Sequence, residues 1–263
     1  MLFRSEERVE VLAQLSQELE KRQDRIAQLD ALNTGVVIRT TSMLNLIVTR
    51  AWHLANAQLQ SGWTHSTVPG PNDNLVEIYR QPWGPALLLV AWNAPSAFMA
   101  HKGSSSLAAG CPTILKPTEW APYGCDIFGE AAEAAGLPAG AFQIVHGGAE
   151  IGAQLVKDER IKAVSFTGGV EGGRSIATAC AHSFKPAQLE MGGNNPVIVF
   201  EDADLDEAAD GIVALMTALN SQWCRALGRL IVPKAHQDAL LERVLDRFQH
   251  VKLGDSVEFE TEM

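Results

Sequence analysis

From residue 75 onward, short apolar runs typical of β-strands alternate with longer helical patterns. The predicted strands are Val76–Arg80, Ala86–Trp92, Thr113–Lys116, Phe142–Val145, Ala163–Phe166, Val197–Phe200 and Arg229–Val232. The helical patterns between them include Ser96–Ala109, Tyr123–Ala135, Gly173–Ala181 and Leu205–Leu219. Because crossover helices cover both faces of a parallel sheet, this alternation predicts an α/β fold with a doubly wound, largely parallel sheet. Ligands of such sheets bind at the carboxyl ends of the strands.

The segment before this alternation is predicted to be helical. Its apolar residues recur at helical spacing and predict an amphipathic packing helix; they are Val9, Leu12, Leu15, Leu19, Ile26, Leu29 and Leu32. Gly35 is expected to end this helix in a left-handed conformation. A second helix is predicted over Ser42–Leu59, and a turn over Gly70–Asn74.

The length and charge of the chain exclude several classes of protein. Its 263 residues suffice for one or two domains, and 21 basic against 31 acidic residues give a net charge of −10. This balance argues against binding to nucleic acid or to an anionic membrane surface. The sequence has no secretory signal pattern and no apolar run of membrane-spanning length. Four isolated cysteines predict neither a zinc site nor a disulfide framework, and they indicate a cytoplasmic protein.

Polar residues follow two of the predicted strands. Asn93 ends the most apolar strand, where its amide could stabilise a developing oxyanion or could simply cap a turn. Lys116 and Glu119 flank Pro117 after another strand, where they could hold the hydroxyls of a ribose. The alternative for this pair is a solvated strand end.

Three further segments contain candidate catalytic or binding groups. Glu190 lies among apolar residues and glycines, where partial desolvation would suit a general base; a turn with the carboxylate in water is the alternative. Cys224 is the best candidate nucleophile, and the other three cysteines are expected to be buried. Gly168 and Gly169 lie in a strand-to-helix turn that could bind an anion or be a tight turn without a ligand.

Taken together and in this order, these segments resemble the aldehyde dehydrogenase superfamily. The matching segments, with the family pattern, are Ala91–Asn93 (PWN), Leu107–Gly110 (LAAG), Leu115–Glu119 (LKPSE), Ala135–Gly140 (AGLPPG), Ser165–Gly168 (SFTG), Leu189–Gly193 (LELGG), Asp202–Asp206 (DADLD) and Gln222–Cys224 (GQxC). The family also keeps the separation of 34 positions (224−190) between Glu190 and Cys224. The resemblance covers nearly the whole chain.

The resemblance implies oxidation of an aldehyde to a carboxylic acid with a nicotinamide cofactor. Cys224 would attack the aldehyde carbonyl, and Asn93 with the Cys224 backbone N–H would form the oxyanion hole. Glu190 would activate the water that releases the acid. Lys116 and Glu119 would hold the adenosine ribose, and Glu119 would favour NAD over NADP by repelling a 2′-phosphate. Other positions expected to line the cofactor or the site are Trp92, Lys102, Gly168 and Gly169.

The resemblance also sets the expected domains and assembly. Residues 1–192 would form the N-terminal helices and a Rossmann-like dinucleotide-binding domain, and residues 193–263 part of a catalytic domain. Full-length members are longer and carry more of the catalytic domain. The strand near Arg229–Val232 would therefore lack neighbours, and its exposed face would be covered by a homo-oligomer or another partner.

This sequence departs from the family pattern at three positions, with Gly169 for a usual Ser, Asn194 for a common Lys and Ser221 for the Gly of GQxC. A shift of Cys224 caused by Ser221 would slow catalysis. Two other functions stay open. One is a nucleotide-binding or partner subunit with impaired turnover. The other is a cofactor-independent ester hydrolase that uses Cys224 and Glu190.

Overall fold

The computed structural model describes residues 5–263. Its helices are α1 (Ser5–Glu20), α2 (Gln23–Thr34), α3 (Ile38–Gln60), α4 (Pro95–Ala108), α5 (Tyr123–Ala134), α6 (Ala149–Lys157), α7 (Val170–Ala181), α8 (Leu205–Thr217) and α9 (Gln237–Gln249). Its strands are β1 (His65–Pro69), β2 (Leu75–Tyr79), β3 (Ala86–Leu89), β4 (Thr113–Lys116), β5 (Phe142–Ile144), β6 (Ala163–Gly168), β7 (Ala187–Met191), β8 (Asn195–Ile198) and β9 (Leu227–Ile231). The start of the first predicted domain, residues 1–4, lies outside the described residues.

The centre of the molecule is a five-stranded parallel sheet with the order β5-β4-β3-β6-β7. The chain runs from β3 outward to β5 and then crosses to the other side of β3, where it forms β6 and β7. Such a reversal of strand order opens a crevice at the carboxyl ends of the central strands. The predicted doubly wound α/β fold is confirmed.

The alternating side chains of β3 explain why both faces of this sheet are covered. Leu88 and Val90 point into a core that includes Trp52 of α3 and Phe128 of α5. Leu87 and Leu89 point into a second core, built with residues of α6 and α7 such as Val156 and Ile176. A strand that is apolar at every position can bury both faces, which fixes β3 at the centre of the sheet.

The N-terminal helical pattern forms two helices instead of one. Leu12, Leu15 and Leu19 of α1 are buried, as is Ile26 of α2. The helix is interrupted at residues 21–22, between α1 and α2. Gly35 ends α2 with φ +74°, and its N–H donates to the Ala31 carbonyl at 2.9 Å. This is the left-handed stop that the sequence predicted.

Two smaller sheets flank the central one. β1 and β2 form an antiparallel hairpin around the predicted turn. β8 and β9 are parallel neighbours, and with α8 and α9 they enclose a third core around Ile212 and Leu240. The strand expected to have no neighbour is therefore paired on one side by β8, while most of β9 is exposed. The division between residues 192 and 193 stays a prediction. Within residues 5–263, no helix is long and apolar enough to cross a membrane.

Asp30 is a buried carboxyl group at the junction of α2, α4 and α5. It accepts a hydrogen bond of 2.9 Å from the Ser96 hydroxyl. Burial raises the pKa of Asp30 from 3.8 to about 7, and the hydroxyl and backbone N–H of Ser96 oppose this rise. Asp30 therefore exchanges its proton near neutral pH in the folded protein.

We expect Asp30 to make the stability of the protein depend on pH. Between its unfolded pKa near 3.8 and its folded pKa of about 7, the folded protein holds a proton that the unfolded chain releases. The stabilisation is complete below the lower pKa and is lost as the pH rises through the upper one, with a slope of at most about 1.4 kcal/mol per pH unit.

The measurement is urea unfolding of the wild-type protein and of Asp30→Asn between pH 4 and pH 8. Asn keeps an oxygen acceptor for Ser96 but cannot titrate. The difference in free energy of unfolding between the two proteins should fall with rising pH and level off at the top of the range. A difference that stays constant with pH would contradict the raised pKa.

Candidate active site

Four parallel strands bring the predicted polar residues to one edge of the central sheet. Lys116 is the last residue of β4, Gly168 is the last residue of β6, and Glu190 is the penultimate residue of β7. Asn93 lies between the end of β3 and the start of α4, and Glu119 follows β4. Since the strands are parallel, all these positions belong to the carboxyl edge.

The loop that carries Cys224 is attached to this edge by a side-chain amide. Asn93 Nδ2 donates to the Gln222 carbonyl oxygen at 2.6 Å, and Asn93 is buried. Because an amide nitrogen carries two hydrogens, one N–H of Asn93 is left for another acceptor. Asn195 Nδ2 holds the same loop from β8, donating to the carbonyl oxygens of Cys224 at 2.7 Å and Ala226 at 3.2 Å.

Cys224 differs from the other three cysteines in its exposure to solvent. Cys111, Cys125 and Cys180 are buried, as expected for packing residues, whereas Cys224 is exposed. Burial raises the pKa of the Cys125 thiol well above its usual value, and the nearby carboxylates of Asp30 and Asp126 add to this rise. The buried Cys125 thiol is therefore a poor nucleophile, and Cys224 is accessible to a substrate.

Three consecutive residues before Cys224 adopt the left-handed backbone region. Leu219, Asn220 and Ser221 have φ values of +49°, +53° and +62°. Two side chains support this turn, since Ser221 Oγ donates to the Met216 carbonyl and Asn220 Nδ2 donates to the Gly35 carbonyl at 2.7 Å. The left-handed φ of Ser221 occurs where the family pattern has glycine, the residue that adopts it with little strain.

Glu190 is exposed, so the expectation that its carboxylate is partly desolvated is wrong. The reason is that β7 is the outermost strand of the sheet, where Glu190 is paired only with Thr167 of β6. Its charge still acts on Lys102, a buried residue whose pKa is lowered to about 8 by desolvation against the opposing effect of Glu190. Lys102 Nζ donates to Ser165 Oγ at 2.5 Å, and this hydroxyl donates to Gln188 Oε1 at 2.7 Å.

A cavity of about 390 Å³ lies beside Lys116 and Glu119, between α6 and α7. Gly152 and Ile176 are among the residues of these helices that line it. Lys116 is buried, and its ammonium donates to the Pro117 carbonyl at 3.0 Å and lies 3.5 Å from the Glu119 carboxylate. A mostly apolar wall that also carries the Lys116 ammonium and the Glu119 carboxylate suits a nucleoside.

The turn at Gly168 and Gly169 lies between Phe166 and Gly172, which both line this cavity. A Cβ at Gly169 would meet nothing within 4 Å, whereas a Cβ at Gly168 would lie 2.4 Å from the Phe166 ring. Gly169 precedes α7, whose first N–H groups have no partners within the helix and favour an anion. Trp92 is partly exposed at the end of the strand region that leads to Asn93. These residues fit the adenosine and pyrophosphate of a dinucleotide.

The structure brings some predicted residues into contact and leaves others apart. Asn93 contacts the loop of Cys224, and Lys116 contacts Glu119. Among residues 5–263, no hydrogen bond joins the Cys224 thiol to Glu190. The same part of the chain contains no cluster of three or more His, Cys, Asp or Glu residues able to hold a metal ion.

Sequence reasoning missed the roles of Asn195 and Asn220. Both amides hold backbone carbonyls that shape or attach the Cys224 loop. Asn195 follows the glycines after Glu190, and Asn220 lies four residues before Cys224. Both therefore lie in segments whose candidate residues were Glu190 and Cys224. Nothing in residue spacing distinguishes such an amide from a surface residue.

Comparison with known proteins agrees with the family resemblance of the sequence. The model of the aldehyde dehydrogenase family matches residues 2–263. A glutarate-semialdehyde dehydrogenase of Pseudomonas aeruginosa is 37% identical over 194 residues, which are 73% of this chain and 40% of that protein. The NADP(+) succinate-semialdehyde dehydrogenase GabD of Escherichia coli is 36% identical over a segment of the same extent.

Solved structures show the same relationship. The NAD-dependent aldehyde dehydrogenase of Sinorhizobium meliloti superposes with a TM-score of 0.92 and 30% identity, covering 99% of this chain and 52% of its own. The chain thus spans about 40% of the length of the curated relatives that it matches and about half of the solved structure. The family match over almost every residue, together with the fold, shows that this chain belongs to the aldehyde dehydrogenase family.

Proposed function

We propose that this protein takes part in the oxidation of an aldehyde to a carboxylic acid with NAD. The observation that carries the proposal is the exposed Cys224 on a loop attached to the sheet edge by Asn93. A nucleophile and an oxyanion donor held by one hydrogen bond at a strand end form the core of an acyl-transfer site. Because the chain matches only part of its curated relatives, the activity of the whole protein is part of this proposal.

In this mechanism Cys224 supplies the attacking sulfur. The Cys224 thiolate forms a C–S bond to the aldehyde carbon, and the carbonyl oxygen becomes an oxyanion. The second N–H of Asn93 and the backbone N–H of Cys224 stabilise that charge. When bound, the dinucleotide supplies the two-electron oxidant that converts the thiohemiacetal to a thioester.

Glu190 is assigned to the release of the product. Its carboxylate takes a proton from water, and the resulting hydroxide attacks the thioester carbon. The C–S bond breaks, the acid leaves, and Cys224 returns to the thiolate. The exposure of Glu190 gives this carboxylate access to water.

Lys116 and Glu119 are the proposed residues for the adenosine ribose, with Gly168, Gly169 and Trp92 beside the remainder of the cofactor. With a dinucleotide bound, the Lys116 ammonium would donate to a ribose hydroxyl, and the Glu119 carboxylate would accept from one. A 2′-phosphate would place negative charge against Glu119, which favours NAD over NADP.

Dicarboxylic semialdehydes are the proposed substrates, because the relatives above are named for glutarate and succinate semialdehyde. The proposed assembly is a homo-oligomer or a complex with another partner. Apolar side chains exposed on the hairpin and on β8 and β9 support it; they include Leu75, Tyr79, Ile198 and Ile231.

Replacement of Cys224 tests the reaction directly. With succinate semialdehyde and NAD, we expect the wild-type protein to produce reduced cofactor and Cys224→Ala to lose at least about 10³-fold in rate, since no other group can form the thioester. The measurement is absorbance of the reduced cofactor, with the buried Cys111→Ala as the matched control. Cofactor binding by both variants should be unchanged in calorimetry.

Three outcomes would contradict the proposed reaction. Equal rates for wild type and Cys224→Ala would show that Cys224 is not the nucleophile. NAD binding without turnover in the wild-type protein would favour a nucleotide-binding subunit. Hydrolysis of p-nitrophenyl acetate that depends on Cys224 but occurs without any aldehyde oxidation would favour the ester hydrolase.

Replacement of Glu119 tests the cofactor preference. Glu119→Gln removes the negative charge that faces a 2′-phosphate but keeps the length of the side chain. We expect the ratio of NAD affinity to NADP affinity to fall by about 10-fold or more, since one charge repulsion of this kind is worth about 1–2 kcal/mol. Glu150→Gln, on α6 outside the cavity lining, is the control. An unchanged ratio would show that Glu119 does not set the preference.

A further inference from the structure

The last turn of α2 contacts three separate segments of the active-site edge. Asp30 accepts from Ser96 Oγ of α4 at 2.9 Å, and Asn33 Oδ1 accepts from the backbone N–H of Tyr123 at the start of α5 at 3.2 Å. The carbonyl of Gly35, just after α2, accepts from Asn220 Nδ2 at 2.7 Å. The end of α2 and the residue after it thus hold the starts of two helices and the loop before Cys224.

The contact between Asp30 and Ser96 lies at the start of α4, where a helix normally carries a cap. α4 begins at Pro95, and its own capping position, Ala94, has no side chain that can accept a hydrogen bond. The first N–H groups of a helix lack internal partners. Asp30 accepts from the Ser96 hydroxyl, and the Ser96 backbone N–H lowers the pKa of the same carboxyl group, so Asp30 stabilises the start of α4.

The contact between Asp30 and Ser96 is buried and closely packed. Asp30 is 6% exposed and Ser96 is 1% exposed. A Cβ at Gly124 of α5 would lie 2.0 Å from Asp30 Oδ1 and 2.5 Å from Ser96 Oγ, so glycine is needed there. Three helices therefore meet at one buried hydrogen-bonded pair, whose position fixes the first turn of α4.

The first turn of α4 in turn fixes the amide of Asn93. Only Ala94 and Pro95 separate Asn93 from Ser96, and the ring of Pro95 restricts φ. Asn93 is hydrogen-bonded to the loop of Cys224, which Asn220 also ties to Gly35. The end of α2 thus holds the oxyanion side of the site through Asp30 and the nucleophile side through Gly35.

We propose that Asp30 is a positioning residue for the active site, which acts through Ser96 to hold the Asn93 amide where the oxyanion develops. This inference rests on the proposed oxyanion role of Asn93. Asp30 does not touch the substrate. Its removal frees the first turn of α4, so the amide samples positions that stabilise the oxyanion less well.

A double-mutant cycle tests whether Asp30 acts through Asn93. We expect Asp30→Ala to lower kcat for succinate semialdehyde by about 10- to 100-fold, within the range for a displaced oxyanion donor. The affinity for NAD should change less than about 2-fold, because the contacts of Lys116 and Glu119 are untouched. In an Asn93→Ala background, the same replacement should lower kcat by less than about 2-fold, because the amide through which it acts is already absent.

Two further variants separate positioning from a general loss of stability. Asp30→Asn keeps an oxygen that accepts from Ser96 and should restore most of the lost kcat. Asp24→Ala removes an exposed carboxylate from the same helix and should leave kcat unchanged. Equal losses for Asp30→Ala in both backgrounds, or no recovery with Asp30→Asn, would overturn the proposal.

The side-chain amide signal of Asn93 in a ¹⁵N–¹H spectrum provides a readout that does not depend on turnover. The signal is assigned by its loss in Asn93→Ala. We expect it to shift or broaden in Asp30→Ala and in the milder Ser96→Ala, and to stay in place in Asp24→Ala. If Asn93→Ala leaves kcat unchanged, the proposed oxyanion role is wrong, and the spectrum still tests positioning. An Asn93 signal unchanged in Ser96→Ala and in any folded Asp30→Ala would overturn the inference.

Discussion

The hydrogen bond between the Asn93 amide and the Gln222 carbonyl joins segments 129 residues apart and attaches the Cys224 loop to the central sheet. Asn195 also holds this loop. It begins β8, which pairs with the β9 strand that follows the loop, so Asn195 shapes the loop without attaching it to the central sheet. The contact of Asn220 with Gly35 provides a second attachment, to the end of α2. Since a displacement of about 1 Å at a reacting atom can cost orders of magnitude in rate, these two attachments set the precision of the site.

The sequence was most informative where burial dictates residue type. The continuous apolar run of β3 predicts a central parallel strand, and a doubly wound sheet places Asn93 and Lys116 at its carboxyl edge. β7 was not predicted, because Ala187–Met191 forms an edge strand whose residues are mostly exposed and show no apolar alternation. The same edge position explains the error at Glu190. A carboxylate between Leu189 and Met191 suggests burial only if the strand has neighbours on both sides.

The contacts of α2 could not be predicted from the sequence at all. Helical periodicity identifies apolar positions such as Ile26, but it does not identify a buried polar residue within the same helix. The partners of Asp30, Asn33 and Gly35 lie 66, 90 and 185 residues away, and no local pattern encodes separations of this kind. A buried carboxyl group costs free energy unless it accepts hydrogen bonds, so the bond from the Ser96 hydroxyl partly offsets the cost of Asp30.

Ser221 shows how a departure from the family pattern can be accommodated. Its φ of +62° suits the glycine of the family, and a residue with a Cβ adopts this conformation at a cost of roughly 1 kcal/mol. The Ser221 hydroxyl compensates by donating to the Met216 carbonyl, a bond that glycine cannot make. Asn220 beside it is a residue type that tolerates the left-handed region, and its side chain is anchored to Gly35. Two side-chain hydrogen bonds therefore hold the left-handed backbone of the turn before Cys224. The serine at position 221 alone is no reason to expect a displaced nucleophile.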